Sequence, residues 1–217
     1  MKKQRILSAL LALCLVFSLV PTVALAAGAD DFTDVSRDDW CYEYVDYVTR
    51  QGYFNGTTST TFAPDRTMTR AMFVVVLSRY ADVNVDNSQS AFTDVEPGAW
   101  CAGAINWAAE HDIVGGYGDG TFRPNAPVTR AQMCAIMDRF VEYYMEENEV
   151  EVAETGTVAT LTDQAQIPSY AVSAVRNCQR WGLIYGYSDG TFRPNANSSR
   201  AHVAAVIYRL AFLLDNA

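Results

Sequence analysis

The chain has 217 residues, half of them hydrophobic, and it carries 25 acidic against 16 basic side chains. Binding to a phosphate backbone needs clustered Lys and Arg, so this balance argues against a nucleic-acid partner. The length suits one or two ordinary domains.

The amino terminus resembles an export signal. Basic residues at positions 2, 3 and 5 precede an apolar run, and small residues follow at Ala24 and Ala26. This order is typical of a signal peptide, so we predict that residues 1–26 are a leader and that the mature protein is secreted. The apolar run is short for a transmembrane span and no second run follows, so the sequence predicts no transmembrane segment. Loss of the three leader cations leaves 13 basic and 25 acidic side chains, a net charge of about −12.

A repeated passage dominates the rest of the chain. Gly116–Asn125 recurs as Gly186–Asn195 with a single change, and a degenerate copy occupies residues 56–65. A Thr-Arg-Ala or Ser-Arg-Ala triplet follows each copy. Such periodicity predicts one body of three packed repeats. We place them at 32–81, 92–140 and 161–210, with an acidic linker at 141–160 that begins as a helical extension and ends as a flexible connector.

Each repeat carries two helical patterns, so the fold class is all-α with a helix-loop-helix in every repeat. Apolar residues recur at helical spacing before the Gly-rich passage and again after the Arg-Ala triplet. Thr129 and Gln132 form a capping box at the start of a second helix. The first helices should end at Gly52, Asp112 and Gly182, and Pro97 and Pro168 should lie in first helical turns. The Gly-rich passage itself is typical of a structured turn, and we expect its Phe to lie in the core.

Four cysteines remain after the leader, at positions 41, 101, 134 and 178. In an exported protein an even count permits two disulfides in three pairings. Cys134 and Cys178 also lie on apolar helical stripes, which favours small buried side chains. The sequence leaves both interpretations open.

The candidate site is a set of arginines at helix starts, where the helix dipole disfavours a cation. One interpretation pairs each arginine with the Asp near the start of a repeat, which is Asp34, Asp94 or Asp163. The other places there an anionic ligand, held by the guanidinium group and by free backbone N–H groups. Further arginines follow the Phe of repeats two and three, and tryptophans near the openings are either core anchors or platforms for a sugar ring. The candidate ligand-binding residues are Asp34, Trp40, Arg70, Asp94, Trp100, Arg123, Arg130, Asp163, Arg193 and Arg200.

Catalysis has little support in this sequence. His111 and His202 are the only histidines, and no nucleophile motif accompanies either one. A cysteine hydrolase using Cys134 or Cys178 is a third hypothesis, for which we expect no labelling by a thiol-reactive substrate analogue. One Asp in each Gly-rich passage is too few for a calcium loop. We therefore predict no enzyme activity, no metal and no cofactor.

Together the Phe-x-Asp-Val opening, the Trp, the Gly-x-x-Asp-Gly-x-Phe-x-Pro passage and the Thr-Arg-Ala triplet resemble the S-layer homology domain, over all three repeats. The resemblance implies a pseudo-threefold helical spindle with ligand grooves between units. It also implies noncovalent attachment to the bacterial cell wall, through a secondary cell wall polymer or peptidoglycan-linked glycan that typically bears pyruvylated sugars. The family usually has Glu after Thr-Arg-Ala, where this chain has Met72, Gln132 and His202. We rank the groove of Trp100 with Arg130 or Arg123 first.

The sequence thus supports two hypotheses. The first is a non-catalytic cell-surface module that binds an anionic wall glycan. The second is an exported scaffold whose degenerate repeats bind another surface protein. Since the three repeats and their linkers occupy the chain after the leader, we expect no segment here to act as the anchored cargo.

Overall fold

The computed structural model describes residues 27–215 and 217, so the predicted leader lies outside the described residues. Six α-helices form three pairs within these ranges, and the all-α prediction is confirmed. Three isolated antiparallel bridges join the loops. The helices are α1 (Tyr42–Arg50), α2 (Arg70–Tyr80), α3 (Ala102–Glu110), α4 (Arg130–Asn148), α5 (Val172–Arg180) and α6 (Arg200–Leu214).

The second helix of each repeat begins where the capping residues predict. Thr69, Thr129 and Ser199 are extended, and each side-chain oxygen accepts the backbone N–H of the third helical residue. The capping box of Thr129 and Gln132 is present. These bonds satisfy a donor that the helix itself leaves unpaired, which explains why all three helices start at the same repeat position.

The first helix of each repeat ends at a left-handed residue, as predicted. Gly52, Asp112 and Gly182 have φ of +76°, +57° and +69°, a conformation that turns the chain out of the helix.

The predicted position of the prolines is wrong. Pro97 lies five residues before α3, because Gly98 has a φ of +84° and interrupts any helix between them. Pro168 is extended and precedes a short 3₁₀ turn, Ser169–Ala171, which leads into α5.

The three repeats close into a ring. The most extensive helix packing pairs the second helix of one repeat with the first helix of the next, as α2 with α3, α4 with α5, and α6 with α1. A ring of backbone bonds lies between the loops. Met68 N–H donates to Ser198 O at 2.9 Å, Val128 N–H to Met68 O at 3.0 Å, and Ser198 N–H to Val128 O at 3.0 Å. Each repeat therefore contacts both of the others, as expected for the pseudo-threefold spindle.

The core contains one Phe from each Gly-rich passage. Phe62, Phe122 and Phe192 are fully buried, so each loop is attached to the core through its own ring. Burying a Phe side chain contributes about 1.5–3 kcal/mol. Within the described ranges, no helix has the length and apolar character needed to cross a membrane.

The predicted flexible connector between repeats two and three is instead packed against the fold. After α4 ends at Asn148, the chain returns along α5, where Gly156 N–H donates to Arg180 O at 2.7 Å. The Thr155 hydroxyl donates to Trp181 O at 3.2 Å. A side chain at Gly156 would collide with the backbone of α5, so the glycine permits this close approach.

All four cysteines in the described residues are free thiols and buried. Cys134 and Cys178 pack in the core between α4 and α5, where Cys178 Sγ donates to Cys134 O at 3.7 Å. The hydrogen bond with Cys134 and complete burial raise the pKa of the Cys178 thiol well above its ordinary value. Since the nucleophile is the thiolate, this environment disfavours a hydrolase that uses Cys178.

Candidate functional site

The three helix-start arginines are buried between repeats. Arg70, Arg130 and Arg200 are only 6%, 7% and 7% exposed. Each Nε donates to the carbonyl of the core Phe in the next repeat, at 2.7–2.8 Å. Each guanidinium also lies 4.3–4.7 Å from the centre of that Phe ring, within cation–π range. These arginines therefore join neighbouring repeats.

Burial lowers the pKa of all three guanidinium groups, that of Arg200 to about 10. The groups remain charged at neutral pH. Carbonyl oxygens and aromatic faces compensate the three cations without a carboxylate partner.

The expected free N–H groups at the starts of α2, α4 and α6 are all paired, so the expectation that backbone N–H groups hold an anion is wrong. Arg130 N–H donates to Ala196 O at 2.9 Å, and Ala131 N–H donates to Pro194 O at 3.0 Å. Equivalent bonds occur at the starts of α2 and α6. The loop of the neighbouring repeat supplies carbonyls where an anion was expected.

The expected ion pairs between these arginines and the opening aspartates are also wrong. Asp94 Oδ1 and Oδ2 accept the backbone N–H groups of Phe122 and Arg123, both at 2.7 Å. Asp34 and Asp163 bind the same two positions of their own repeats. The second position is left-handed in every repeat, with φ of 56–60°. The aspartates are therefore occupied in stabilising a strained turn before proline.

Arg123 and Arg193 lie on the outside of the Gly-rich loops. Arg123 pairs with Asp119 at 3.1 Å and Arg193 with Asp189 at 2.7 Å, and all four side chains are about half exposed. The two guanidinium groups lie 3.8 Å and 4.0 Å from the centres of the Tyr117 and Tyr187 rings. Arg123 and Arg193 thus add a cation to each loop, but each already forms an ion pair with an aspartate of its own loop.

Asp119 gives a pH prediction for this loop. Hydrogen bonds from Thr121 and Arg123 lower the pKa of its carboxyl group from 3.8 to about 2. Hydrogen bonds from Thr191 and Arg193 also lower the pKa of Asp189. A lowered carboxyl pKa contributes stability that is present above the unfolded value and is lost as the pH falls through the folded value. We expect a carboxyl NMR titration to place Asp119 near pH 2.

Thr121→Val should raise the Asp119 midpoint toward 3.8 and leave Asp189 unchanged as an internal control. An Asp119 midpoint near 3.8 in the wild type would contradict the loop geometry.

A first groove, which we call the Arg70 groove, has a volume of about 390 Å³. The repeat-two loop, Val114–Gly118, forms one wall, and α4 forms another. All three repeats contribute, and its polar and aromatic lining residues are Arg70, Tyr117, Gln132, Arg139 and Tyr170. Gln132 Nε2 donates to the Tyr117 hydroxyl at 3.1 Å and so positions that ring.

Arg70 differs from its two counterparts. Nη2 of Arg130 donates to Tyr185 O, and Nη2 of Arg200 donates to Asn55 O. For Arg70 only the Nε bond is present among the described residues. Its Nη groups therefore remain available to a ligand in the groove.

A second groove, the Arg130 groove, has a volume of about 170 Å³ and lies between repeats two and three, with a tryptophan from repeat one. Its polar and aromatic lining residues are Trp40, Arg130, Tyr185, Tyr187, His202 and Arg209. Burial and the charge of Arg130 lower the pKa of His202, so this imidazole is neutral at pH 7.

The structure also decides which tryptophan faces which arginine. Trp40 and Trp100 are both 59% exposed, so neither is a core anchor. Trp40 lines the Arg130 groove, where its ring centre is 5.3 Å from that of His202. Our ranking of Trp100 with Arg130 or Arg123 is wrong, because Trp40 of repeat one, and not Trp100, lines the groove of Arg130. Tyr170 lines the groove of Arg70.

Sequence reasoning missed a second set of arginines. Arg79, Arg139 and Arg209 each lie nine residues after the arginine that starts α2, α4 or α6. Arg139 and Arg209 line the two grooves. Their offsets of 60 and 70 residues match those of the Arg-Ala triplets, so the repeat register could have found them. Arg209 Nη1 donates to Leu183 O at 3.3 Å, which holds the side chain at the groove wall.

Fold and grooves together define a class of protein: a closed ring of three helix-loop-helix repeats with arginine-lined and aromatic-lined grooves between them. The family model for the S-layer homology domain matches residues 31–72, 91–134 and 160–204. The chain belongs to the S-layer homology domain family, with three tandem repeats as predicted.

Curated relatives share this region as part of longer proteins. An endoglucanase of Bacillus sp. (strain KSM-635) is 34% identical over 94% of this chain and 22% of its own length. An amylopullulanase of Thermoanaerobacterium thermosulfurigenes is 31% identical over 82% of this chain and 9% of its own. A cellulosome-anchoring protein of Acetivibrio thermocellus is 32% identical over 81% of this chain and 38% of its own. The similarity therefore covers less than two fifths of each relative.

Proposed function

We propose that this protein is a non-catalytic, secreted module of the bacterial cell surface that binds an anionic, pyruvylated secondary cell wall glycan through the grooves between its repeats. Family membership supports the surface location, as do the relatives that share this region alone. One of those relatives is named for anchoring.

The observation that carries the proposal is the charge of the grooves. The chain has 25 acidic side chains, yet no carboxylate lines the Arg70 groove or the Arg130 groove among the described residues. Each groove instead contains two arginines. An acidic surface with cationic crevices favours an anionic ligand at these places.

The Arg130 groove offers the contacts that an acidic sugar needs. A pyruvate ketal carries a carboxylate. Arg209 can reach such a group with the N–H donors that are not used by its one side-chain hydrogen bond to the described residues. A charge-assisted hydrogen bond is worth about 1.5–3 kcal/mol. The exposed ring of Trp40 provides a flat apolar face for the sugar ring. The Arg70 groove also contains two arginines and two tyrosines and provides a second site.

Trp40 gives the sharpest test. We expect Trp40→Ala to weaken binding to purified cell walls about tenfold, equivalent to about 1.4 kcal/mol, because the platform for the sugar ring is lost. Arg209→Gln should weaken it similarly by removing a charge. Sedimentation of full-length protein with walls measures both effects.

Trp100→Ala is the matched control. Trp100 has the same exposure as Trp40 and the same repeat position, but it lines neither groove, so binding should be unchanged. Walls stripped chemically of their accessory polymer should no longer sediment the wild type. Binding that persists on stripped walls would contradict the proposal and favour the exported scaffold instead.

A further inference from the structure

A second crevice continues from the Arg130 groove. It has a volume of about 330 Å³ and lies where the segment between α4 and α5 packs beside the carboxyl-terminal half of α6. We call it the aromatic cleft. Its main lining residues are Thr155, Trp181, Tyr185, Tyr208, Arg209 and Phe212.

The aromatic cleft and the Arg130 groove share a wall. Tyr185 and Arg209 line both crevices, and the Arg209 guanidinium lies 5.2 Å from the centre of the Tyr185 ring. Tyr185 is 51% exposed. Arg209 is therefore within reach of a ligand in either crevice.

The corresponding place in repeat two has the opposite chemistry. Counting back 70 residues replaces Trp181 by His111, Gly182 by Asp112 and Phe212 by Glu142. A crevice of about 510 Å³ is present there as well. It adjoins the Arg70 groove through Arg139, and its lining includes Asp112, Glu142, Glu146 and Glu147.

We propose that the aromatic cleft is a subsite for the sugar rings that follow the anionic residue in the same glycan. This inference rests on the proposed function. Aromatic faces with a few hydroxyl groups suit uncharged sugar rings, since the rings supply apolar surface and Thr155 and Tyr208 supply polar contacts. The crevice beside the Arg70 groove presents carboxylates, including Glu142 in place of Phe212, so we expect that groove to accept a chain end only.

The segment before α5 is part of this subsite. Thr155 reaches the aromatic cleft because its hydroxyl bonds to Trp181 O and because Gly156 permits close packing on α5. This packing is one reason why the crevice of repeat three differs from that of repeat two.

The test compares two probes by calorimetry on the full chain. The short probe is the methyl glycoside of a single pyruvylated sugar, and the long probe is a fragment of three or four sugars released from the purified pyruvylated polymer. We expect the wild type to bind the long probe about tenfold more tightly. Phe212→Glu places in the aromatic cleft the residue type of position 142, and it should abolish this gain, measured as the ratio of the two affinities.

Two variants act as controls. Phe212→Tyr keeps the aromatic ring and should keep the gain. Val158→Glu adds the same charge at an exposed site outside the aromatic cleft and should also keep it. If the wild type binds the long probe no more tightly than the short probe, or if Phe212→Glu still prefers the long probe, the aromatic cleft is not a subsite, although binding in the Arg130 groove stands. If the wild type binds neither probe, the proposed function itself fails.

Discussion

Arg130→Ala is expected to lower the free energy of unfolding by about 3 kcal/mol, since two hydrogen-bond acceptors in the next repeat lose their donor. Leaving a buried polar group unpaired costs about 1–3 kcal/mol. Arg130 donates to Phe192 O and Tyr185 O at 2.8 Å and 2.9 Å and contacts the Phe192 ring. Urea denaturation followed by circular dichroism would measure the change.

Arg70→Ala and Arg139→Ala complete the series. The Arg70 side chain makes only the Nε hydrogen bond among the described residues, so its loss should cost less than that of Arg130. Arg139 is exposed at the wall of the Arg70 groove, and its loss should change stability by less than about 0.5 kcal/mol. An Arg130→Ala protein as stable as the Arg139→Ala protein would contradict the role of Arg130 between repeats.

The same series affects how binding data are interpreted. A binding defect in an Arg130 variant would combine a lost ligand contact with a weakened junction between repeats. Trp40 and Arg209 separate the two effects, because they reach the same groove from more exposed positions.

Asp163→Asn should destabilise the protein by about 2–3 kcal/mol. Both carboxylate oxygens accept backbone N–H groups, those of Phe192 and Arg193, each at 2.7 Å. An amide has only one acceptor oxygen, so one of the two N–H groups would lose its partner and face another donor. Arg193 is left-handed with a φ of +56°, and that strained turn would lose its main support. Thermal and urea unfolding would report the loss.

Asp189→Asn provides the comparison for this prediction. Asp189 also lies in the repeat-three loop, but its ion pair with Arg193 is half exposed, and such pairs contribute about 0–1 kcal/mol. Equal stability losses in the two variants would show that Asp163 does not hold the turn. Because Pro194 O accepts the N–H of Ala131 at the start of α4, the effect of Asp163→Asn should extend to the junction with repeat two.

Much of the fold was predictable because its signals are local. The capping box of Thr129 and Gln132 spans three residues, and the left-handed stops at Gly52, Asp112 and Gly182 follow from conformational preferences of single positions. The offsets of 60 and 70 residues then assign the same structure to all three repeats. The segment before α5 was predicted wrongly, because its packing depends on the surface of another element.

The amino-acid sequence by itself thus determined the helices, their ends, the number of repeats and the arginines at their junctions. Only the tertiary structure decided what those arginines bind, which tryptophan shares their groove, and that the opening aspartates hold backbone turns. The physical reason is distance along the chain. Helix caps join residues three or four apart, whereas the Nε bonds of Arg70, Arg130 and Arg200 cross 52, 62 and 138 residues. Such partners are set only when the ring of repeats closes.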